Sequence, residues 1–387
     1  MVFYSICTIF ARNINLEILM FGQLPHDIIL LFMLYAGAAM MDVIACVYLL
    51  LRRGNAFASD VTPPLRLRRW TAAFFASLAL GHVWYLPAAL LTSSEDINLW
   101  MLIGGLLDCM VVFPLTIIVL LCMLQDRRRP LWPVAVMTVP LVAAMVWSVA
   151  HCSYALLPAA RIYILLLGIG LVVYMVRAVR QYGRWLRDNY ADLEHKEVWQ
   201  SFLVLAVILL VFGIYVSGSD SLTYEFIIQV CGIVLVCYLL WRVETLSDLS
   251  QSGGQVAQDS AQEPVPMTAE TTTPDDIGPL LQQYCVDTKL YLQHDLTVAQ
   301  LAQTIGTNRT YLGQYFARRD TTYNAYINNL RINHFISLYR EAVAAQRPFS
   351  AKNLANDSGY RSYSTFSLAF KQRMGQSVTA WMQQSAE

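Results

Sequence analysis

Seven long apolar runs constrain this chain more than anything else in it. They lie at 28–51, 70–91, 99–124, 131–150, 157–176, 202–218 and 224–241. Each is close to the ~20 residues that cross a bilayer as a helix. A buried helix of a soluble protein rarely stays apolar for so long, so seven in succession predict a membrane domain. Trp70, Trp100, Trp132 and Trp241 sit near run ends, where interfacial aromatics gather. The chain is 56% hydrophobic and 14% charged, against about 25% charged in soluble domains.

The loops between the runs set an orientation. Loop 52–69 carries Arg52, Arg53, Arg66, Arg68 and Arg69, loop 125–130 carries Arg127, Arg128 and Arg129, and loop 177–201 carries Arg177, Arg180, Arg184, Arg187 and Lys196. The alternate loops hold Glu95, Asp96, Asp220 and Glu225, with Arg161 as their single basic residue. Thirteen basic residues against one place the rich loops in the cytoplasm. Seven spans then put the N-terminus outside and the C-terminus inside. Residues 1–27 read as an extracytoplasmic tail of no assigned function. Met1–Phe10 has no basic leader and is short for a signal peptide, and Met20 is an alternative start.

Inside the runs, polar chemistry is sparse. Asp42, His82 and Asp108 fall mid-span, where ionisable groups are costly and face the bundle interior. At 1.5 Å per residue, His82 and Asp108 come out at similar depth. A His82–Asp108 pair lining a ligand cavity is one reading of them, with Asp42 deeper; a buried pair that holds helices together is the other. Gln229 and Arg161 belong to the same polar interior. The lysines are Lys196, Lys289, Lys352 and Lys371, none in a span, which excludes a retinal Schiff base. No GxSxG and no Gly-rich phosphate loop with Lys is present. The eight cysteines are scattered without CxxC spacing and read as small buried hydrophobes. No metal site or cofactor is expected.

Two segments link the membrane part to the rest. Loop 177–201 begins basic and turns acidic; it continues the fifth span as a helix and serves either as a solvated extension or as a contact surface for the C-terminal part or a partner. Residues 245–276 are rich in Ser, Gln, Thr, Pro and Gly. Such a segment cannot bury enough apolar surface to order its backbone and reads as a flexible linker. Thirty residues reach roughly 30 Å, so rigid coupling through it is not expected.

The last hundred residues repeat a pattern. Leu301-Ala302 and Gly306 lie 53 positions before Leu354-Ala355 and Gly359, and Leu312 and Phe316 lie 54 before Phe366 and Phe370. Each copy reads as two short helices around a glycine turn, with i,i+4 anchors on the second. The first helix of the second copy ends at Leu354-Ala355, and Ser362 or Ser364 caps the next. One extra residue sits in the second turn. A short helix with apolar anchors inside and small polar groups outside suits a major groove.

Residues 277–385 resemble the AraC/XylS-type DNA-binding domain of bacterial transcription regulators. The resemblance rests on Ala355, Gly359-Tyr360, Phe366, Phe370-Lys371 and Gly375, with a joining helix from Tyr323 to about Ala344 that carries Tyr326-Ile327 and Leu330-Arg331. Three departures concern packing. Phe335 stands where the family has Ala, Val378 where it has Pro, and Met382 where a basic residue is usual. A fourth is the absence of the usual Gly from Arg318-Arg319-Asp320-Thr321.

The resemblance implies base-facing positions at Asn308, Arg309, Thr310, Gly313 and Gln314 in the first reader helix, and at Tyr363, Ser364, Thr365 and Ser367 in the second. Arg309 could pair with guanine and Gln314 with adenine. Arg318, Arg319, Lys371 and Arg373 suit phosphates. Residues 274–387 hold 11 basic and 8 acidic residues, net +3, so one copy should grip DNA weakly and with marked salt dependence.

The whole reads as an all-α protein: a seven-helix transmembrane bundle over 28–244, the linker, and a soluble double helix-turn-helix domain at 277–385. The expected partners are double-stranded DNA, a lipid bilayer, a small-molecule or membrane-derived signal, and further copies of the chain on DNA. The expected place is a bacterial inner membrane, and the expected role is one-component transcription regulation without enzymatic activity. The rivals are an intramembrane enzyme built on Asp42, His82 and Asp108, or a transporter, each with an accessory DNA-binding domain.

Overall fold

A computed structural model describes residues 26–249 and 277–385, apart from 53–54, 59–60, 85–92, 152, 154, 205 and 208–221. The described residues form no strand; the secondary structure is helical apart from one isolated bridge. They fall into two compact units. The first takes Met1–Val179 and Val198–Ser250, and the second takes Arg180–Glu197 and Gln251–Glu387.

The first unit is built from α1 (His26–Leu51), α2 (Leu65–Trp84), α3 (Ser94–Leu107), α4 (Phe113–Met123), α5 (Trp132–Ala150), most of α6 (Leu157–Asn189) and α7 (Leu222–Thr245). A π-helical turn, Asp108–Val112, joins α3 to α4. Pro114 follows at once and, lacking an N–H, interrupts the helical ladder there. Five helices are long and apolar enough to cross a membrane: His26–Leu51, Ile103–Met123, Trp132–Ala150, Pro158–Asn189 and Phe226–Thr245. Seven were expected. The second expected run is described only as far as Trp84, where α2 carries arginines at its start, and the sixth lies mostly outside the described residues.

The packing of this unit sorts its side chains unusually. Leu165, Leu166 and Val172 of α6 are exposed, Leu165 by 64%, whereas Asp42, Thr71, Ser77, Thr138, Ser148 and Gln229 are buried. Several of the buried hydroxyls donate to carbonyls of their own helix, Ser77 to Phe74 at 2.7 Å and Ser148 to Ala144 at 2.9 Å.

The basic loop ends gather at one end of the unit. Arg68 Nε lies 3.2 Å from Glu244 Oε1, Arg68 Nη2 donates to the Arg52 carbonyl at 2.6 Å, and Tyr48 donates to Glu244 at 3.4 Å. Gln125 Nε2 donates to the Ser247 carbonyl, and its Oε1 accepts from the Leu249 N–H, both at 2.9 Å. Residues 246–249 therefore pack within this unit, although composition assigns them to the linker. The rest of the linker, from 250 to 276, and the expected tail up to residue 25 lie outside the described residues.

The second unit opens with α8 (Ile277–Leu281) and then sets out the repeat. Its helices are α9 (Val298–Thr304), α10 (Arg309–Arg318), α11 (Tyr323–Ala344), α12 (Ala351–Asp357), α13 (Tyr363–Met374) and α14 (Val378–Gln384). All six begin alike. Thr297, Asn308, Thr322, Ser350, Ser362 and Ser377 are N-caps whose side chains accept the N–H three residues on, each such cap contributing about 1 kcal/mol. Thr297 adds a reciprocal bond from its own N–H to Gln300.

α11 joins the two helix-turn-helix units. Tyr323 and Ile327 enter the first core, with Leu301, Leu312 and Phe316. Ile332, Phe335 and Tyr339 enter the second, with Ala355, Phe366 and Phe370. Cys285 is fully buried in the first core, and burial pushes its thiol up to about 11. It is an inert, packed group.

Candidate nucleic-acid interface

Each reader helix is positioned by a glycine turn and a cap. Gly306 and Gly359 take φ of +72° and +89°. At Gly359 a Cβ would also come within 2.8 Å of the Leu292 backbone, so glycine is needed there for both conformation and space. The N-cap follows Gly306 by two residues, at Asn308, and Gly359 by three, at Ser362. This is the extra residue of the second turn. The helix before that turn runs to Asp357, two residues beyond its expected end at Ala355, because Ser358 still closes the last turn onto Leu354.

The family's missing glycine after the first reader is replaced by Asp320, which itself adopts φ +50°; Asp is among the residues that tolerate the left-handed region. Phe335, where the family has Ala, fills the second core, its ring 4.4 Å from Phe366 and 5.8 Å from Phe370.

The reader faces follow from these anchors. In α10, Leu312, Tyr315 and Phe316 are buried, and Arg309, Thr310, Gly313 and Gln314 are exposed. Asn308 is exposed too, with its Oδ1 accepting from the Tyr311 N–H at 2.9 Å. Arg318 is exposed, and the Arg319 guanidinium lies 3.8 Å from the centre of the Tyr315 ring. In α13, Phe366 and Phe370 are buried, and Ser364 and Lys371 are exposed. Thr365 and Ser367 are half-buried. Tyr363 is half-buried against Phe366, less outward than its helical register implies. Arg373 donates to the Asn329 carbonyl at 2.6 Å and to Asn333 Oδ1 at 2.7 Å, which ties α13 to the joining helix.

One residue that sequence reasoning used only as a family marker holds the two units in register. Arg331 is 1% exposed. Its Nε donates to the Tyr291 carbonyl and its Nη2 to the Gln293 carbonyl, both at 2.7 Å. Its guanidinium lies 5.5 Å from the Tyr360 ring. Burial lowers its pKa, opposed by neighbouring Tyr360 and Asp192. The available signal was its place between Leu330 and Ile332, one turn from Ile327 and Phe335, since a buried cation needs partners. Asp295, which accepts from Arg361, had no such signal.

Among the polar residues of the apolar unit, His82 meets Asp42 and Gln229. His82 Nδ1 lies 3.5 Å from Asp42 Oδ2 and 2.9 Å from the Leu78 carbonyl, and Nε2 lies 3.3 Å from Gln229 Oε1. Tyr35 meets the His82 ring edge-on at 4.6 Å and donates to the His82 carbonyl. Asp108 is half-buried at the start of the π turn. Equal depth along two helices does not fix which way each residue is rotated about its axis. Among the described residues, no group of three His, Cys, Asp or Glu is arranged to hold a metal ion.

Two capped helix-turn-helix units on one joining helix define a DNA-binding module. A family model described as a helix-turn-helix domain matches residues 301–384. This part of the chain is an AraC-type helix-turn-helix domain, the DNA-binding domain of a transcription regulator. No curated protein and no solved structure was found to match the chain.

Proposed function

We propose that this protein is a membrane-anchored, sequence-specific transcription regulator of the one-component kind. The observation that carries the reading is the union, in one chain, of the helix-turn-helix domain with five helices fit to cross a membrane. The gathered basic ends of the first unit support a cytoplasmic face there, and hence a C-terminus on the side where DNA lies, in a bacterial inner membrane.

In this reading Arg309 and Gln314 contact base edges from the first reader helix, beside Asn308, Thr310 and the backbone at Gly313. Tyr363, Ser364, Thr365 and Ser367 contact them from the second. Arg318, Arg319, Lys371 and Arg373 serve phosphates, Arg319 and Arg373 being oriented by Tyr315 and by Asn329 with Asn333. The Asp42–His82–Gln229 cluster, with Asp108 nearby in sequence depth, is the candidate place for a signal. Copies clustered in the membrane plane would strengthen a weak single grip by raising effective concentration.

Chromatin mapping of the full-length protein tests this. Discrete sites are expected, lost or blurred in Arg309→Ala. A reporter fused after Arg128 should lie in the cytoplasm and one fused at Ser94 outside. Uniform occupancy, or a cytoplasmic signal at Ser94, would overturn the reading.

A further inference from the structure

The segment Arg180–Glu197 belongs to the same compact unit as the DNA-binding domain. Its sequence changes sign along its length, from Arg180, Arg184 and Arg187 on the last turns of α6 to Asp188, Asp192 and Glu194. Beyond Asn189 the chain leaves the helix and pairs at once. Tyr190 forms an antiparallel bridge with Thr297, and the Ala191 N–H donates to the Leu296 carbonyl at 3.3 Å. Asn324, near the start of the joining helix, donates from Nδ2 to the carbonyls of Tyr190 and Ala191 at 3.2 and 2.7 Å. Ala191 itself is buried in the first core. Three residues on, Glu194 Oε2 accepts from Thr365 Oγ1 at 3.0 Å.

One of these contacts falls on the reading surface, since Thr365 is the third residue of the second reader helix. Arg309, the first residue of the other, adds a through-space attraction to the Asp188 carboxyl, behind burial, Arg187 and Arg184. A carboxylate offers these groups the acceptor that a phosphate oxygen or a base edge would offer. The Thr365 hydroxyl has one proton to donate, so while it donates to Glu194 it cannot donate to a phosphate oxygen or a base acceptor.

We propose that Arg180–Glu197 is an intramolecular strap that occupies the DNA-facing surface of the helix-turn-helix domain and competes with DNA for it, seated by Tyr190–Ala191 on Leu296–Thr297 and by Glu194 on Thr365. The inference rests on the DNA-binding reading above. The strap enters the first core through Ala191, and Tyr190, Asp192 and Lys196 are buried beside it. Its polar bonds join groups that water or DNA also satisfies. It continues α6 without a break in the chain, so its release can answer to that helix and not only to the linker at 245–276.

A reversible lock tests the competition. Residues directly opposed in an antiparallel pair have Cα atoms about 4.5–5.5 Å apart, within the range a disulfide spans. The full-length Tyr190→Cys/Thr297→Cys variant, in lipid nanodiscs, is titrated with a duplex selected from a random pool by the wild-type chain at low salt. Each single-cysteine variant under the same oxidant is the control.

An undocked fraction of about one in ten raises the apparent Kd about tenfold, so a locked strap should weaken binding at least that much, with full recovery on reduction. Equal affinity in the oxidised and reduced forms, or a pair that does not cross-link, would overturn the proposal. Failure of the DNA-binding reading looks different: neither form would select a sequence. Should the cysteine pair not fold, Glu194→Ala decides alone. Tighter binding supports competition, and unchanged or weaker binding makes the strap a fixed part of the fold.

Discussion

The two compact units of this chain solve opposite problems with the same element. In the first, the helices turn Leu165, Leu166 and Val172 outward and keep Asp42, Ser77, Ser148 and Gln229 inside. In the second, Phe316, Phe335, Phe366 and Phe370 are inside, and Arg309, Gln314, Ser364 and Lys371 are outside. Helix ends differ as well. The six helices from α9 to α14 each carry a side-chain cap, whereas α3, α4 and α5 have none. A capped helix end and a polar exterior are responses to water. An apolar exterior over polar contacts is the response of helices that leave their outer face to hydrocarbon. The contrast fits the proposed reading, in which one chain is divided between lipid and water.

Substitutions can break this contrast in order of size. Arg331→Ala removes two short bonds from a buried cation, each contributing roughly 1.5–3 kcal/mol. It should destabilise the second unit by about 4 kcal/mol, read as faster hydrogen exchange throughout 277–385 with α1–α5 unchanged. Protection that persists would mean that the two cores hold each other without Arg331.

Leu165→Asp places a charge on the outer face of α6. In lipid it should cost about 2.5–3.5 kcal/mol of insertion free energy, measured as a fall in the inserted fraction. In water it would cost almost nothing, so an unaffected variant would remove the two-solvent distinction.

The glycines give the smallest effect. Gly359→Ala meets both positive φ and the Leu292 backbone and should cost about 2–3 kcal/mol. Gly306→Ala meets positive φ alone, with open space around it, and should cost about 1 kcal/mol. Equal losses in thermal unfolding would mean that the close approach at Leu292 relaxes freely.

How far the sequence led depends on whether local chemistry decides. The joining helix, expected from the family resemblance at Tyr323 to about Ala344, runs over Tyr323–Ala344 with Thr322 as its cap. Gly359 and the Phe366–Phe370 anchors were legible in the repeat. Three features were not. His82 faces Asp42 and Gln229, since depth along a helix leaves its rotation open. Arg331 was recognised by position, but its acceptors at Tyr291 and Gln293 lie about forty residues away in sequence. The loop after Arg187 could have been a solvated extension or a contact surface. Its bridge to Thr297, more than a hundred positions on, and its bonds to Asn324 and Thr365 favour the second.

The central claim is that this chain reads DNA while embedded in lipid. Hydroxyl-radical footprinting of the full-length protein in nanodiscs, on a duplex taken from its mapped sites, addresses it most directly. Two reader helices on one joining helix should protect two short boxes on one face of the duplex, about 34 Å or one helical turn apart, and Arg309→Ala should lose one of them. A single box, or protection that appears only after the protein is extracted from lipid, would contradict the claim.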